Sequence, residues 1–430
     1  MRRTTIGVLT YRDNKRFMEP DYFRDLIREG RKLEADVYLF SHQDVQHERK
    51  KVYGFVPNAG GGWSRRELPW PDIVIDRFRS HWTPALTQLR ESNCFRYANN
   101  HFTFKSEATK LYTASEAVRK WVPETELCSP ETLRRFLQRH RIVYVKPANG
   151  TGGFGVMKIA RRGTGYLVQA REKKSALRLL EFGSLQALLV WTLAWTRSQS
   201  IRSGRFLVQM GLDTELVPGR VADVRVLIQK NGDGEWQLTG KALRIGGRNS
   251  PTTNLLRGRG GTAVPFDAFM RGRFGAEQAG RIGRECDALA FAVVAAIEER
   301  FGPMMEFGLD VGVDKKGRVW LLEANPKPSR DVFLKTGETG IYVTALRRPI
   351  EYALYLARRA KDAEAASAVT AAKENADGMA ATDGQRDGSE AGELARVSAL
   401  VAKGDTEGDT EDDTEGGAFP PPHRSVGAKK

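Results

Sequence analysis

The stretch RIVYVKPANGTGGFGVMKIAR, residues 141–161, places a glycine-rich segment between two apolar segments. RIVYVKP and VMKIAR alternate as strands do, so a strand, a glycine loop and a second strand are predicted. Residues 150–155 spell G-x-G-x-x-G, but a dinucleotide loop needs a following helix and a P-loop needs G-K-[ST]. A glycine hairpin tip can instead cover phosphates with backbone N–H groups, while Lys146 adds a positive charge. The alternative is an ordinary turn beside a surface lysine.

A second candidate site lies in LLEANPKP, residues 321–328. Glu323 and Asn325 are two residues apart, so they share one face of a predicted strand. A turn at residues 314–317 would pair Asp310 with Leu321 and put it one diagonal step from Glu323. Hard oxygen ligands of this kind suit Mg²⁺ held jointly with nucleotide phosphates. The alternative is a pair of solvated carboxylates, but the apolar neighbours indicate burial, and buried carboxylates need partners.

Further polar residues that suit phosphate lie between these two sites. Asp223 and Arg225 form D-V-R on one predicted strand, and Arg244 lies on the next, in KALRIGG. Asn254 follows in TTNLLRGRGGTA, a loop with two more arginines and a Gly-Gly pair. Guanidinium groups near a metal–phosphate site stabilise a transferring phosphoryl group. Any one of these arginines could be a surface residue, so the ordered set is the stronger indication.

This order of motifs resembles the ATP-grasp superfamily, which grips ATP between two α+β subdomains. FLVQMGLD, DVRVLIQKNGDGEWQLTGKALRIG and FGLDVGVDKKGRVWLLEANPKPSR look more specifically like the YheC/YheD family of endospore coat-associated proteins. The resemblance covers about residues 4–356. It implies an α+β / α/β chain with an ATP-grasp fold, an N-terminal Rossmann-like domain and a disordered C-terminal tail.

The resemblance also implies roles for individual residues. Arg225, Arg244 and Asn254 would face the transferred phosphoryl group or the substrate. Mg²⁺, or Mn²⁺, would be held by Asp310, Glu323 and Asn325. ATP would be bound by Lys105 (with Lys110 as its competitor), Lys146, Gly152, Gly153, Gln209, Met210, Leu212, Asp223 and Arg244.

Three regions are predicted along the 430 residues. Residues 1–99 form the N-terminal α/β domain, and residues 100–360 form the ATP-grasp domain, with subdomains of about 100–208 and 209–360. Residues 361–430 are low in apolar content, rich in Asp and Glu, and predicted to be disordered. From residue 363 onward, 14 acidic residues face 7 basic ones, although the whole chain carries +15.

The resemblance implies an ATP- and Mg²⁺-dependent ligase that joins a carboxylate to an amine or thiol through an acylphosphate. Its partners would be small-molecule or peptide carboxylates and amines, with spore-coat proteins as further partners. The alternative is a non-catalytic, ATP-binding coat-associated protein. Nucleic-acid binding by the basic body is disfavoured, because basic and aromatic residues do not interleave.

The location is expected to be cytoplasmic, with spore-coat association as an addition. Cys94, Cys128 and Cys286 lie far apart, which indicates thiols rather than a disulfide framework. The longest apolar run, LQALLVWTLAW at residues 185–195, is too short to span a membrane. The six histidines do not have zinc-site spacing.

Overall fold

The computed structural model describes residues 2–14, 16–80, 83–102, 105–148, 154–171, 177–199, 205–253, 255 and 260–383. The side chains of Lys105, Ser106 and residues 371–383 lie outside this description. Contacts divide the chain into a unit of residues 1–365 and a unit of residues 366–430. The three main sheets and the candidate site belong to the first unit.

The elements of the N-terminal part are β1 (Thr4–Leu9), β2 (Arg12–Asp13), β3 (Arg16–Phe17), α1 (Pro20–Lys32), β4 (Ala35–Phe40), β5 (Val45–Gln46), β6 (Lys51–Pro57), β7 (Trp63–Pro69), β8 (Ile73–Asp76) and α2 (Pro84–Glu91). They form a mixed sheet in the order β5-β6-β4-β1-β8, with β7 beside β6. β1 is parallel to both β4 and β8, and α1 lies between β1 and β4 in a β-α-β unit. Helix α1 buries Phe23, Leu26 and Ile27, which lie on one stripe of the helix.

The next elements are α3 (Lys105–Ala114), β9 (Thr125–Leu127), α4 (Pro130–Arg139), β10 (Ile142–Pro147), β11 (Val156–Arg162), β12 (Gly165–Arg171), β13 (Leu177–Phe182), α5 (Leu185–Ser198) and β14 (Phe206–Met210). They include a second sheet in the order β13-β12-β11-β10-β14-β9, which packs against α4 and α5. The sequence pattern predicts mostly helix over residues 171–205, which is wrong for β13. Its alternating apolar and charged residues pair with β12 instead.

The apolar run LQALLVWTLAW is helix α5, which buries Leu188, Leu189 and Trp195 against the second sheet. Within the ranges given above, the helices are all too short or too polar to cross a membrane.

The last elements are β15 (Ala222–Lys230), β16 (Trp236–Ile245), β17 (Thr262–Pro265), α6 (Phe266–Phe274), α7 (Ala276–Phe301), β18 (Glu306–Val313), β19 (Val319–Asn325), α8 (Asp331–Lys335) and α9 (Thr339–Asp383). They include a third sheet in the order β17-β16-β15-β18-β19, which packs one face against the long helix α7. The predicted β18–β19 hairpin and the mixed α/β architecture are confirmed. Helix α9 extends past residue 361, where the tail was predicted to start.

Candidate nucleotide and cation site

The β18–β19 hairpin places Asp310 directly opposite Glu323. The predicted pairing of Asp310 with Leu321 is wrong, because Leu321 pairs with Val311 and the register then shifts by one residue. Leu322 is the extra residue of this β-bulge, which changes the strand face on which the following side chains lie. The bulge therefore places Glu323 and Asn325 on the same face of the sheet as Asp310. Leu321 lies on the opposite face, where it packs in the core.

Two arginines converge on Asp310 from neighbouring strands. Arg225, on β15, donates to Asp310 Oδ1 through Nε at 2.9 Å, and its Nη2 lies 2.8 Å from the same oxygen. Arg244, on β16, lies with Nη2 2.9 Å from Asp310 Oδ2 and donates to both oxygens of Asp223 at 2.7 and 2.8 Å. The Thr253 hydroxyl also donates to Asp223. The structure thus joins four predicted site residues in one network of two cations and two anions.

Burial and ion pairing shift the two carboxylates of this network in opposite directions. Burial would raise the pKa of Asp310, but Arg225 and Arg244 together hold that pKa below its ordinary value. Burial raises the pKa of Asp223 above its ordinary value, and the negative charge of Asp310 raises it further. Arg244 lowers the pKa of Asp223, but not enough to offset this rise. Asp310 is therefore the more firmly ionised carboxylate of the pair.

Gly308 makes room for the Arg225 guanidinium. A Cβ atom on Gly308 would lie 2.5 Å from Pro328 Cβ and 3.0 Å from Arg225 Nη1. Both distances are shorter than ordinary van der Waals contacts. Because residue 308 has no side chain, the Arg225 side chain has room beside Gly308 while it binds Asp310, its partner directly opposite on β18.

The donor set of Asp310, Glu323 and Asn325 fits a hard divalent cation. All three offer side-chain oxygens on one face at one end of the hairpin. Arg225 Nε and Nη2 both contact Asp310 Oδ1, whereas Arg244 Nη2 alone contacts Oδ2. A carboxylate has about four acceptor positions, so one position on Oδ2 stays open to a cation. Asn325 Nδ2 donates to Gly308 O at 3.4 Å. The side-chain oxygen of Asn325 therefore points away from Gly308.

On the second sheet, Lys146 and Gln209 form one polar pair. Lys146 Nζ donates to Gln209 Oε1 at 2.9 Å, and Gln209 Nε2 donates to Thr125 Oγ1 at 2.7 Å. These bonds fix the orientation of the Gln209 amide and hold the ammonium group of Lys146 beside it. Both residues were predicted to bind nucleotide, and that role stays a prediction.

The segment after β14 connects the second sheet to the third. Met210 N–H donates to Glu124 O at 2.8 Å, so this backbone donor is engaged within the protein. Gly211 crosses β10 so closely that a Cβ atom would lie 2.6 Å from the Ile142 carbonyl carbon. Leu212 is buried, and its Cδ1 comes within 3.2 Å of the Cβ position of Gly312 on β18. Met210 and Leu212, both predicted to bind ATP, thus lie at the end of β14 and in the connection between the two sheets that carry Lys146 and Asp310.

Four of the predicted site residues cannot be placed. Gly152, Gly153 and Asn254 lie outside the described residues, as does the side chain of Lys105 at the start of α3. The competitor of Lys105, Lys110, exposes 75% of its side chain and pairs with Glu107 at 2.9 Å, so it faces solvent.

The sequence motifs did not identify two contacts near the site. Thr253 joins Asp223, and Arg171 at the end of β12 donates to Ser250 Oγ at 3.2 Å. The second contact links the second sheet to the loop after β16. Thr253 could have been noticed in the sequence because it directly precedes the predicted site residue Asn254. Arg171 and Ser250 are 79 residues apart, so no local sequence pattern predicts their contact.

The strand order, the segment that connects the second sheet to the third, and the carboxylate–arginine network define an ATP-grasp protein. The chain belongs to the YheC/D-like ATP-grasp family, whose family model matches residues 95–356. The predicted fold class and family are therefore confirmed.

The chain is similar to two proteins of Bacillus subtilis (strain 168). It is 26% identical to the endospore coat-associated protein YheD over 350 residues, which cover 79% of this chain and 74% of YheD. It is 24% identical to the endospore coat-associated protein YheC over 347 residues, which cover 77% of this chain and 92% of YheC. Among solved structures, the D-alanine-D-alanine ligase from Coxiella burnetii matches with a TM-score of 0.46 at 12% identity, covering 85% of this chain and 99% of that one.

Proposed function

We propose that the protein is an ATP- and Mg²⁺-dependent ligase that joins a carboxylate to an amine or a thiol. The observation that carries the proposal is the convergence of Arg225 and Arg244 on Asp310, directly opposite Glu323. Membership of the ATP-grasp family supports ATP as the phosphoryl donor.

In the proposed reaction, a substrate carboxylate oxygen bonds to the γ-phosphorus of ATP, and the bond from that phosphorus to the bridging oxygen breaks. ADP leaves with the bridging oxygen, and an acylphosphate remains. The amine nitrogen then bonds to the acyl carbon, the carbon–oxygen bond to phosphate breaks, and inorganic phosphate and a proton are released. The products are an amide, ADP and phosphate.

The chain's own residues would act by position and charge. Arg225 and Arg244 are held by carboxylates at 2.7–2.9 Å, so their guanidinium groups are oriented before a substrate arrives. Such fixed cations stabilise negative charge that develops on a transferring phosphoryl group. Mg²⁺ or Mn²⁺, when held by Asp310, Glu323 and Asn325, would neutralise charge on the phosphates. Lys146 would add a point charge from the second sheet.

The test offers the full-length protein ATP, MgCl₂ and a panel of amino acids and dipeptides, with hydroxylamine as a trapping amine. We expect ADP release that depends on the carboxylate, together with a hydroxamate from the trapped acylphosphate. Asp310→Asn should abolish both. Asp287→Asn, which alters the pair between α7 and Lys241, should not.

ATP binding without ADP release for any carboxylate would favour the alternative, a non-catalytic ATP-binding protein. The two Bacillus relatives are named endospore coat-associated proteins, which supports an additional association of this protein with an endospore coat. In a spore-forming host, the protein should then fractionate with purified coats, whereas recovery only from the cytoplasm of the mother cell would contradict that addition.

A further inference from the structure

Lys158, on β11, is almost completely buried, with 7% of the residue exposed. The structure gives its ammonium group no hydrogen bond or ion pair with any residue inside the described ranges. Every other buried charged side chain in those ranges has such a contact. An unpaired buried charge is costly, so an acceptor for Lys158 is expected to come from a bound molecule.

Lys158 lies on the face of the second sheet that also carries Lys146 and Gln209. Its neighbours Met157 and Ile159 pack in the core beside α4 and α5, so Lys158 lies on the opposite face of the sheet. Lys146 and Gln209 alternate in the same way with core residues of β10 and β14. The face that holds both predicted ATP ligands therefore holds Lys158 as well.

Strand pairing fixes the position of Lys158 along this face. Tyr144, on β10, pairs with Lys158 on one side and with Gln209 on the other. The three residues form a row across three neighbouring strands, so the Cα atoms of Lys158 and Gln209 are about 10 Å apart. Lys146 lies two residues closer to the glycine-rich segment, about 7 Å along β10. A nucleotide whose phosphates lie at Lys146 can therefore extend its nucleoside over the row that contains Lys158.

The carboxylates nearest to Lys158 belong to the segment after β14. Burial lowers the pKa of Lys158, although the negative charges of Glu215 and Asp213 partly offset this effect. Both carboxylates already have other contacts, because Asp213 pairs with Lys315 at 3.0 Å and Glu215 accepts from the Gly219 N–H at 2.9 Å. They suit hydroxyl and amino groups of a ligand, whereas an ammonium group needs an acceptor. The ring nitrogens of a purine are such acceptors.

We propose that Lys158 donates a hydrogen bond to a ring nitrogen of the purine of ATP, and that it is a specificity-determining residue for the base. Lys146 stays the predicted phosphate ligand, so the two lysines of this face act on different parts of one nucleotide. This proposal rests on the proposed function for the binding of ATP, but it does not depend on the ligase reaction.

Calorimetry on the full-length protein with MgCl₂ tests the contact. The probes are ATP, its 1-deaza, 3-deaza and 7-deaza analogues, each of which lacks one ring nitrogen, and 2′-deoxy-ATP. At least one deaza analogue should bind the wild-type protein roughly tenfold to a hundredfold more weakly than ATP, because a charge-assisted hydrogen bond is lost. Lys158→Met should weaken ATP binding by the same factor and should bind ATP and that analogue equally. Lys32→Met, at an exposed lysine of α1, should behave like the wild-type protein.

Urea unfolding without nucleotide shows whether Lys158 is needed for the fold. Lys158→Met should be at least as stable as the wild-type protein, because it removes an unpaired buried charge.

The proposal is overturned if no nucleotide binds the wild-type protein, if Lys158→Met binds ATP as tightly as the wild type, or if the deaza analogues lose the same factor in both proteins. It is also overturned if 2′-deoxy-ATP is the analogue whose loss disappears in Lys158→Met, since the contact would then be to the ribose. If the deaza result holds but no carboxylate releases ADP, the ligase reaction fails while the role of Lys158 stands.

Discussion

Asp310→Asn should destabilise the folded protein by about 3 kcal/mol. The substitution keeps the shape of the side chain but removes the charge that accepts hydrogen bonds from Arg225 and Arg244 at 2.8–2.9 Å. Removing one partner of a buried ion pair costs about 3–5 kcal/mol. The lower end is expected, because Asp310 exposes 15% of its side chain and an amide oxygen can still accept from one arginine.

Urea unfolding at pH 7, followed by tryptophan fluorescence and circular dichroism, measures this loss. Asp287→Asn is the matched control, since Asp287 pairs with Lys241 at 2.6 Å but exposes 31% of its side chain. A pair this exposed contributes about 0–1 kcal/mol. Equal stability of Asp310→Asn and the wild-type protein would show that the arginines do not depend on this carboxylate.

The same pair of proteins gives a pH prediction. The pKa of Asp310 in the folded protein lies below its ordinary value of 3.8. Its ionised form therefore contributes stability that is fully present above about pH 5 and is lost as the pH falls through the folded-state pKa. The stability difference between wild type and Asp310→Asn should be constant from pH 7 to about pH 5 and shrink in stronger acid. A difference that grows towards acid would refute the reasoning.

Three further predictions concern single positions. Gly308→Ala should lower the free energy of unfolding in urea by about 1–3 kcal/mol, because the new Cβ would lie 2.5 Å from a proline carbon. Gly272→Ala is the control, because nothing lies within 4 Å of its Cβ position, and it should not destabilise the protein. Equal stability of the two variants would contradict the predicted clash at Gly308. Lys146→Met should weaken ATP binding at least tenfold in calorimetry, whereas Lys110→Met, at an exposed lysine, should not. Ser184→Ala should lower the free energy of unfolding by about 1 kcal/mol, because it removes the N-terminal cap of helix α5. Ser184 Oγ accepts a hydrogen bond from the backbone N–H of Ala187 at 3.2 Å. An unchanged unfolding midpoint would show that this cap is not needed.

The sequence predicted the strands that carry Asp223, Arg244 and Asp310, because alternation and turn residues are local signals. It did not predict which arginine meets which carboxylate. Arg225 and Asp310 are 85 residues apart, and their contact depends on β15 lying beside β18. The contact of Lys327 with Asp76 spans 251 residues and likewise depends on tertiary packing.

The register of the β18–β19 hairpin was missed for a local reason. Asp314 bonds through its backbone N–H to Arg318 O at 3.0 Å, and its carboxylate accepts from the N–H groups of Lys316 and Arg318. This turn sets Val313 opposite Val319, one residue later than predicted. The bulge then returns Glu323 to the face of Asp310, and a strict period of two cannot reveal an extra residue.

The bulge at Leu322 means that strand length, as well as residue identity, decides where the proposed cation ligands lie. A hairpin of the same length without the bulge would pair Leu322 with Asp310. It would turn Glu323 and Asn325 towards α7, onto the face where Val319 and Leu321 pack in the core. A homologous chain with the same three residues but one residue fewer between the turn and Pro326 would therefore reach the same arrangement through a regular hairpin, whereas a chain of this length needs the bulge.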